Sequence, residues 1–172
     1  MHRSLAAQDA VAGPAVLRQQ AQVLAQQSRF TEAEESLKQA IELLKSRTAT
    51  TDGELGSVLD DLAEIYAVEG RFAEAEPLYT RAIELRRKEP GPERLNLGAS
   101  LNGLAGLYQL QGRSAEAESL FREDLDIVEA ARDVPPESLA AVLTNLALVY
   151  QKEGRYAEAE PLYRRAIAVV AA

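Results

Sequence analysis

Few residues in this sequence have the types and spacing for covalent chemistry. Cysteine is absent, which removes disulfides, thiolate nucleophiles and thiolate metal ligands. The one histidine, His2, stands at the chain's start. Metal sites need clustered ligands, so it reads as inert. Without a usable histidine or cysteine, no nucleophile–base pair can be assembled. Carboxylates do recur in pairs, as in Glu74-x-Glu76. Two residues apart on a helix they point different ways, which suits a solvated face better than shared acid–base work. Gly70, Gly112 and Gly154 are spaced as punctuation, 42 residues apart, and do not form a phosphate-cradling loop. The expectation is a chain that is not an enzyme, with no catalytic residue, cofactor or metal site.

What remains is recognition chemistry. Asp60, Asp61 and Glu64 form an acidic cluster. Such a cluster attracts a neutral or basic ligand, because opposite charge steers and orients an encounter; the other reading is three ordinary solvated acids. The whole chain carries a net charge of −8. An acidic chain repels phosphate backbones, so nucleic acid is not an expected partner. No apolar run approaches the ~20 residues that span a bilayer. The opening Met1–Asp9 has no apolar core and is not a secretory signal as written. No membrane partner and a cytoplasmic location are therefore expected.

The elements that position these residues follow from internal repetition. Gly70-Arg71-Phe72-Ala73-Glu74-Ala75-Glu76-Pro77-Leu78-Tyr79 recurs from Gly154 to Tyr163, with intermediate copies at Gly112–Phe121 and Ser28–Leu37. All four are in phase at a 42-residue period without a gap. Within a copy, Leu59, Leu62, Ala63 and Tyr66 follow i, i+3, i+4, i+7, the pattern of one helix face. Leu101–Tyr108 and Leu143–Tyr150 repeat it. Ala75, Leu78, Tyr79, Ala82 and Ile83 mark a second helix, matched by Ala159, Leu162, Tyr163, Ala166 and Ile167. A glycine between the halves reaches the left-handed conformation that ends a helix. Thr31-x-x-Glu34 has the form of a capping box at the second helix of the first copy. Ala63 and Ala75 fall where paired helices approach most closely, and Tyr66 and Tyr79 fill the wider gaps. Pro77 and Pro161 each remove a backbone donor inside the second helix and are expected on its outer face. One pair cannot bury both its faces, whereas stacked pairs can.

Leu62, Ala63, Tyr66, Ala75, Tyr79 and Ala82 resemble the tetratricopeptide repeat. The 42-residue period, the Gly-Arg-Tyr-x-Glu-Ala-Glu-Pro-Leu-Tyr wording and Glu89-Pro90-Gly91-Pro92-Glu93 resemble its kinesin light chain variety. The resemblance implies an all-α fold: a right-handed α-α superhelix of four helix–turn–helix repeats and about eight antiparallel helices. The expected organisation is an N-terminal segment, 1–13, frayed or partly helical, then one domain over 14–172 with repeats at about 14–48, 55–90, 97–132 and 139–172. The first copy departs from the pattern at Gln20 and Leu24, as suits a more exposed terminal repeat. The third departs at Ser114 and Asp124. Charged residues are rarely fully buried, so Asp124 reads as leaning toward solvent in a looser third repeat; the alternative is burial with a partner or in a neutral form.

In the resembled family the first helix of each pair lines a concave groove. Carried over, the groove candidates are Arg18, Gln22, Asp60, Asp61, Glu64, Asn102, Gln109, Thr144, Asn145, Gln151 and Lys152, with Gln26, Val68, Gly106, Leu110 and Leu148 alongside. Amides there suit the backbone of an extended peptide. A chaperone-type carboxylate clamp does not fit, because Asp61, Ala99 and Gly103 stand where amide or cationic groups belong. An asparagine ladder is only partial, kept by Asn145 and lost at Asp61 and Gly103. The expected function is protein–protein interaction, with an extended peptide or partner segment held in the groove in an adaptor or scaffold role. The alternative is a structural, self-associating module or a part of a larger regulatory protein. Ala166–Ala172 would leave an apolar end uncovered, which favours homo-oligomers through the C-terminal helix or continuation of the stack.

Overall fold

Among the described residues eight helices follow one another, and there is no strand. They are α1 (Pro14–Gln26), α2 (Phe30–Ser46), α3 (Asp52–Val68), α4 (Phe72–Arg86), α5 (Arg94–Leu110), α6 (Ser114–Ala130), α7 (Pro136–Lys152) and α8 (Tyr156–Val170). This computed structural model describes residues 12–47, 51–88, 94–131 and 134–171. His2, the Glu89–Glu93 linker and most of the expected N-terminal segment lie outside them. No helix among the described residues is long and apolar enough to cross a membrane.

The turn inside each pair is built as the glycine predicts. Gly70, Gly112 and Gly154 have φ of +75°, +73° and +74°. The amide of the following arginine then reaches back to the tyrosine carbonyl of the helix just ended, at 2.7 Å for Arg71 to Tyr66, 2.8 Å for Arg113 to Tyr108 and 2.9 Å for Arg155 to Tyr150. With the glycine amide bonded to Ala67, Gln109 or Gln151 at 3.0–3.2 Å, two orphan carbonyls of each helix end are satisfied. Ser28 holds the same place in the first copy at φ 59°, and Arg29 bonds Leu24 at 2.9 Å. The alanines sit where the close approach requires them: Ala33, Ala63, Ala75, Ala105, Ala117 and Ala147 are wholly buried. Pro77 and Pro161 are exposed on the outer side.

The Thr31–Glu34 capping box does not form. Arg29 is the N-cap of α2, no side chain caps it, and Thr31 is already helical. Glu34 is instead drawn to the next repeat. The capping box lies at α3, where Thr51 accepts from the Glu54 amide at 3.2 Å and Glu54 accepts from the Thr51 amide at 3.5 Å.

Each junction between repeats carries the same three-residue contact. Tyr66 donates to Glu34 at 2.9 Å, and Arg71 reaches Glu34 at 2.7 Å while stacking 3.9 Å from the centre of the Tyr66 ring. Tyr108 and Arg113 treat Glu76 identically, and Tyr150 and Arg155 treat Glu118 so. Contacts that skip an element join α1 to α3 and α3 to α5, so the stack closes up on the side of the first helices and curves around them.

An L-residue in the left-handed region costs ~1–2 kcal/mol, offset in part by the ~0.5–1 kcal/mol of chain entropy that glycine loses on folding. Ser28→Gly is therefore expected to raise stability by roughly 0.5–1 kcal/mol and Gly112→Ser to lower it by a similar amount. Thermal denaturation should show shifts of about 1–4 °C of opposite sign; equal or same-sign shifts would refute this account of the turn.

Candidate functional site

The curvature places α1, α3, α5 and α7 along one concave face. Two rows on it recur at the repeat period: Gln22, Glu64, Gly106 and Leu148, then Gln26, Val68, Leu110 and Lys152. Most other expected groove residues are engaged within the protein. Arg18 grips Asp61 through Nε at 2.6 Å and Nη2 at 3.2 Å, and Gln22 adds a bond to the same carboxylate at 3.2 Å. Asp61 thus staples the first repeat to the second in the place where a ladder asparagine was expected. Asn145 donates to Asn102 at 3.2 Å, so the ladder persists between repeats three and four. At the middle junction Gly103 leaves room for the Tyr79 ring, which any Cβ there would strike.

Asp60 faces inward. Its carboxylate bonds Arg86 at 2.9 Å and accepts from Ser100 at 2.8 Å. Burial outweighs these partners and pushes its pKa up to about 6. Arg86 is itself buried and also donates to Ser57 at 3.0 Å and to the Asn96 carbonyl. Asp60 and Asp61 are therefore committed to internal pairs, which leaves Glu64 as the exposed acid of the cluster. Thr144 bonds back to the Ala140 carbonyl at 2.7 Å. The amide nitrogen of Gln109 is buried with no partner among the described residues. Gln151 is exposed and accepts from Tyr163 at 2.7 Å. Lys152 is exposed. A cleft of about 450 Å³ opens between α1 and α3, floored by Ala21, Ala25, Phe30, Leu37 and Ile65 and edged by Gln22, Gln26, Asp61, Glu64 and Val68.

Asp124 does not lean toward solvent: only 2% of it is exposed. The room comes from Gly98 on α5, where a Cβ would overlap the Asp124 carboxylate. Asn102 supports that carboxylate with a side-chain hydrogen bond, yet burial dominates and raises its pKa to about 6. Sequence reasoning missed Arg86 altogether. The available signal was a lone arginine in a column otherwise occupied by Leu44, Val128 and Val170, with Gly56 in contact reach of it.

Comparison with known proteins agrees with this geometry. A tetratricopeptide repeat model matches residues 47–130, and a second model of the same description matches residues 139–170. No curated protein sequence matches. Among solved structures, BtubC (BKLC) from P. vanneervenii is similar with a TM-score of 0.81 at 21% identity, over 92% of this chain and 63% of that one. This chain thus spans somewhat under two thirds of that neighbour's length. A kinesin light chain-like protein of Podosopora anserina, with nearly identical repeats, has a TM-score of 0.72 at 27% identity, over 92% of this chain and 75% of its own. MamA has a TM-score of 0.68 at 17% identity, over 91% and 77%.

The raised pKa of Asp124 has a defined consequence. Its folded value of about 6 exceeds the ordinary 3.8. The folded state therefore holds the proton through that interval, and stability falls as pH rises across it. Asp124→Asn removes this penalty without removing the acceptor for Asn102. Its stability advantage over the parent should be absent near pH 4 and grow to no more than about 3 kcal/mol by pH 7. Denaturant unfolding at a series of pH values tests this; a constant difference would show that Asp124 does not titrate as a buried acid.

Proposed function

We propose that this chain, which belongs to the tetratricopeptide repeat family, holds an extended segment of a partner protein along its concave face. Repeats of this family mediate protein–protein interaction and scaffolding, and the family is typically non-enzymatic. One observation carries the groove reading. The junction charges are matched within the protein, whereas the inner rows keep exposed groups that bond nothing among the described residues: Glu64, Val68, Leu110 and Lys152. Amides and apolar side chains at a repeating spacing suit an extended backbone, which offers donors, acceptors and alternate side chains at a spacing of its own. An adaptor or scaffold role follows from such a surface.

A photo-crosslinking residue placed at Leu110, on the inner face, should capture partner protein. The same residue at Glu84, on an outer helix, should not. Capture from Glu84 alone would move the binding surface to the convex side.

A second reading has its own observation. Ile41 and Ile83 are buried by the next repeat, but Ile167, at the same place in α8, is 67% exposed. Among the described residues Glu160, the counterpart of the junction acids Glu34, Glu76 and Glu118, pairs with Arg164 of its own helix alone, at 2.6 Å. A second copy seated on α8 would cover both. Light scattering over rising concentration should then show mass growth that Ile167→Asp abolishes; a parent chain that stays monomeric throughout would exclude this mode.

A further inference from the structure

The inner rows are not uniform along the groove. Glu64 and Lys152 are both exposed, and neither pairs with an opposite charge among the described residues. They are the two such charges on these rows, of opposite sign, and two repeats apart. Val68 lies one turn from Glu64 on α3 and Leu110 in the repeat between the two charges, 64% and 67% exposed, which is far more than an apolar side chain needs for folding. Gly106 adds a gap, since a Cβ there would meet nothing within 4 Å. Beside Glu64 is the cleft floored by Ala25, Phe30 and Ile65. A long basic side chain fits this site: its apolar stem lies on the floor and its charge reaches Glu64.

On the basis of the groove reading, we infer that the partner segment is an extended peptide with a polar order: a basic residue over Glu64, apolar residues over Val68 and Leu110, and an acidic residue at Lys152. α3 touches α5, and Asn145 of α7 bonds Asn102 of α5, so successive first helices lie about 10 Å apart and two repeats separate the charges by roughly 20 Å. An extended chain advances ~3.3 Å per residue. The basic and acidic residues are therefore about six positions apart. By the same spacing Leu110 lies about three positions from Lys152, so the apolar residues occupy the interior of the segment, where side chains two apart share the face turned to the groove. The internal pairs of Asp60 and Asp61 matter here. Had those acids been free, the groove would be acidic over a broad area and would select for net positive charge. With both neutralised by Arg86 and Arg18, one acid and one base remain, and what the groove selects is order.

The test uses dye-labelled peptides of the form Lys-x-Leu-x-Leu-x-Glu, with x serine or threonine, and fluorescence anisotropy at low salt, where exposed charges are least screened. The whole chain should bind this peptide at least tenfold more tightly than one with glutamate at both ends. Glu64→Lys should reverse that preference. Glu64 has no partner among the described residues, so the variant should keep the parent's melting temperature. Equal affinity for the two peptides would overturn the charge order while leaving the groove reading intact. Binding of neither peptide would also overturn the inference, and the crosslinking comparison between Leu110 and Glu84 would then decide separately whether the groove reading falls with it.

Discussion

Each repeat is registered on the next by one carboxylate that a tyrosine and an arginine share. Glu34, Glu76 and Glu118 each take a hydroxyl and a guanidinium from the following repeat, and the guanidinium lies on the ring of that same tyrosine at 3.9–4.2 Å. Burial of alanine and leucine faces drives the helices together but has no direction. It would tolerate small slips and rotations between pairs. The shared carboxylate does not, because hydrogen bonds to an ionised group demand short distances and alignment. The Arg71 side of the contact also holds Glu34 well below the usual carboxylate range, at about 2. The contact therefore remains charged across the neutral range. It starts from the residue just after the left-handed turn, so the turn, the cap and the junction form one unit.

Registration makes the concave face possible. With every first helix held in the same orientation, positions one period apart line up as rows. The ends of the stack show the same logic in reverse. Leu24 replaces tyrosine in the first copy, and Arg29 keeps the own-helix pair of its counterparts, to Glu32 at 2.6 Å, with no junction carboxylate among the described residues. At the other end Glu160 is left with Arg164.

Much of this was legible in the sequence, for physical reasons that also set the limits. A period of 42 residues fixes which residues share a helix face, and the glycines and alanines mark the turns and close approaches directly. The partners across a junction were not legible. Thr31 and Glu34 have capping-box spacing, but Glu34 lies within reach of Arg71, and a guanidinium with a tyrosine hydroxyl outcompetes one backbone amide. Asp60 and Asp61 looked like groove acids because a pattern gives a residue's position on its own helix. It does not reveal an arginine about 25 or 43 residues away that neutralises it. The rarity of buried acids argues for an exposed Asp124, and only the glycine opposite it on another helix provides the room that reverses this.

Asp124 and Gly98 show how departures from a repeat divide into two kinds. Arg86 departs from an apolar column, and it is answered by Asp60, Ser57 and the missing side chain at Gly56. Asp124 departs from an alanine column, and it is answered by Gly98 and Asn102. Gly103 departs from a polar column and is answered by the Tyr79 ring. Each of these changes is met inside the protein, although Arg86 Nε and one Asp60 oxygen stay buried without a partner among the described residues, so each belongs to the packing, however chemically conspicuous it is. Glu64, Val68, Leu110 and Lys152 also differ from their counterparts in other repeats, yet nothing in the fold responds to them. An exposed leucine in a groove gains nothing by staying there, since burying it would contribute about 1.5–3 kcal/mol. A departure that the fold leaves unanswered and exposed is answered, if at all, by whatever occupies the groove. For that reason these less conspicuous residues mark the binding surface better than the buried charges do.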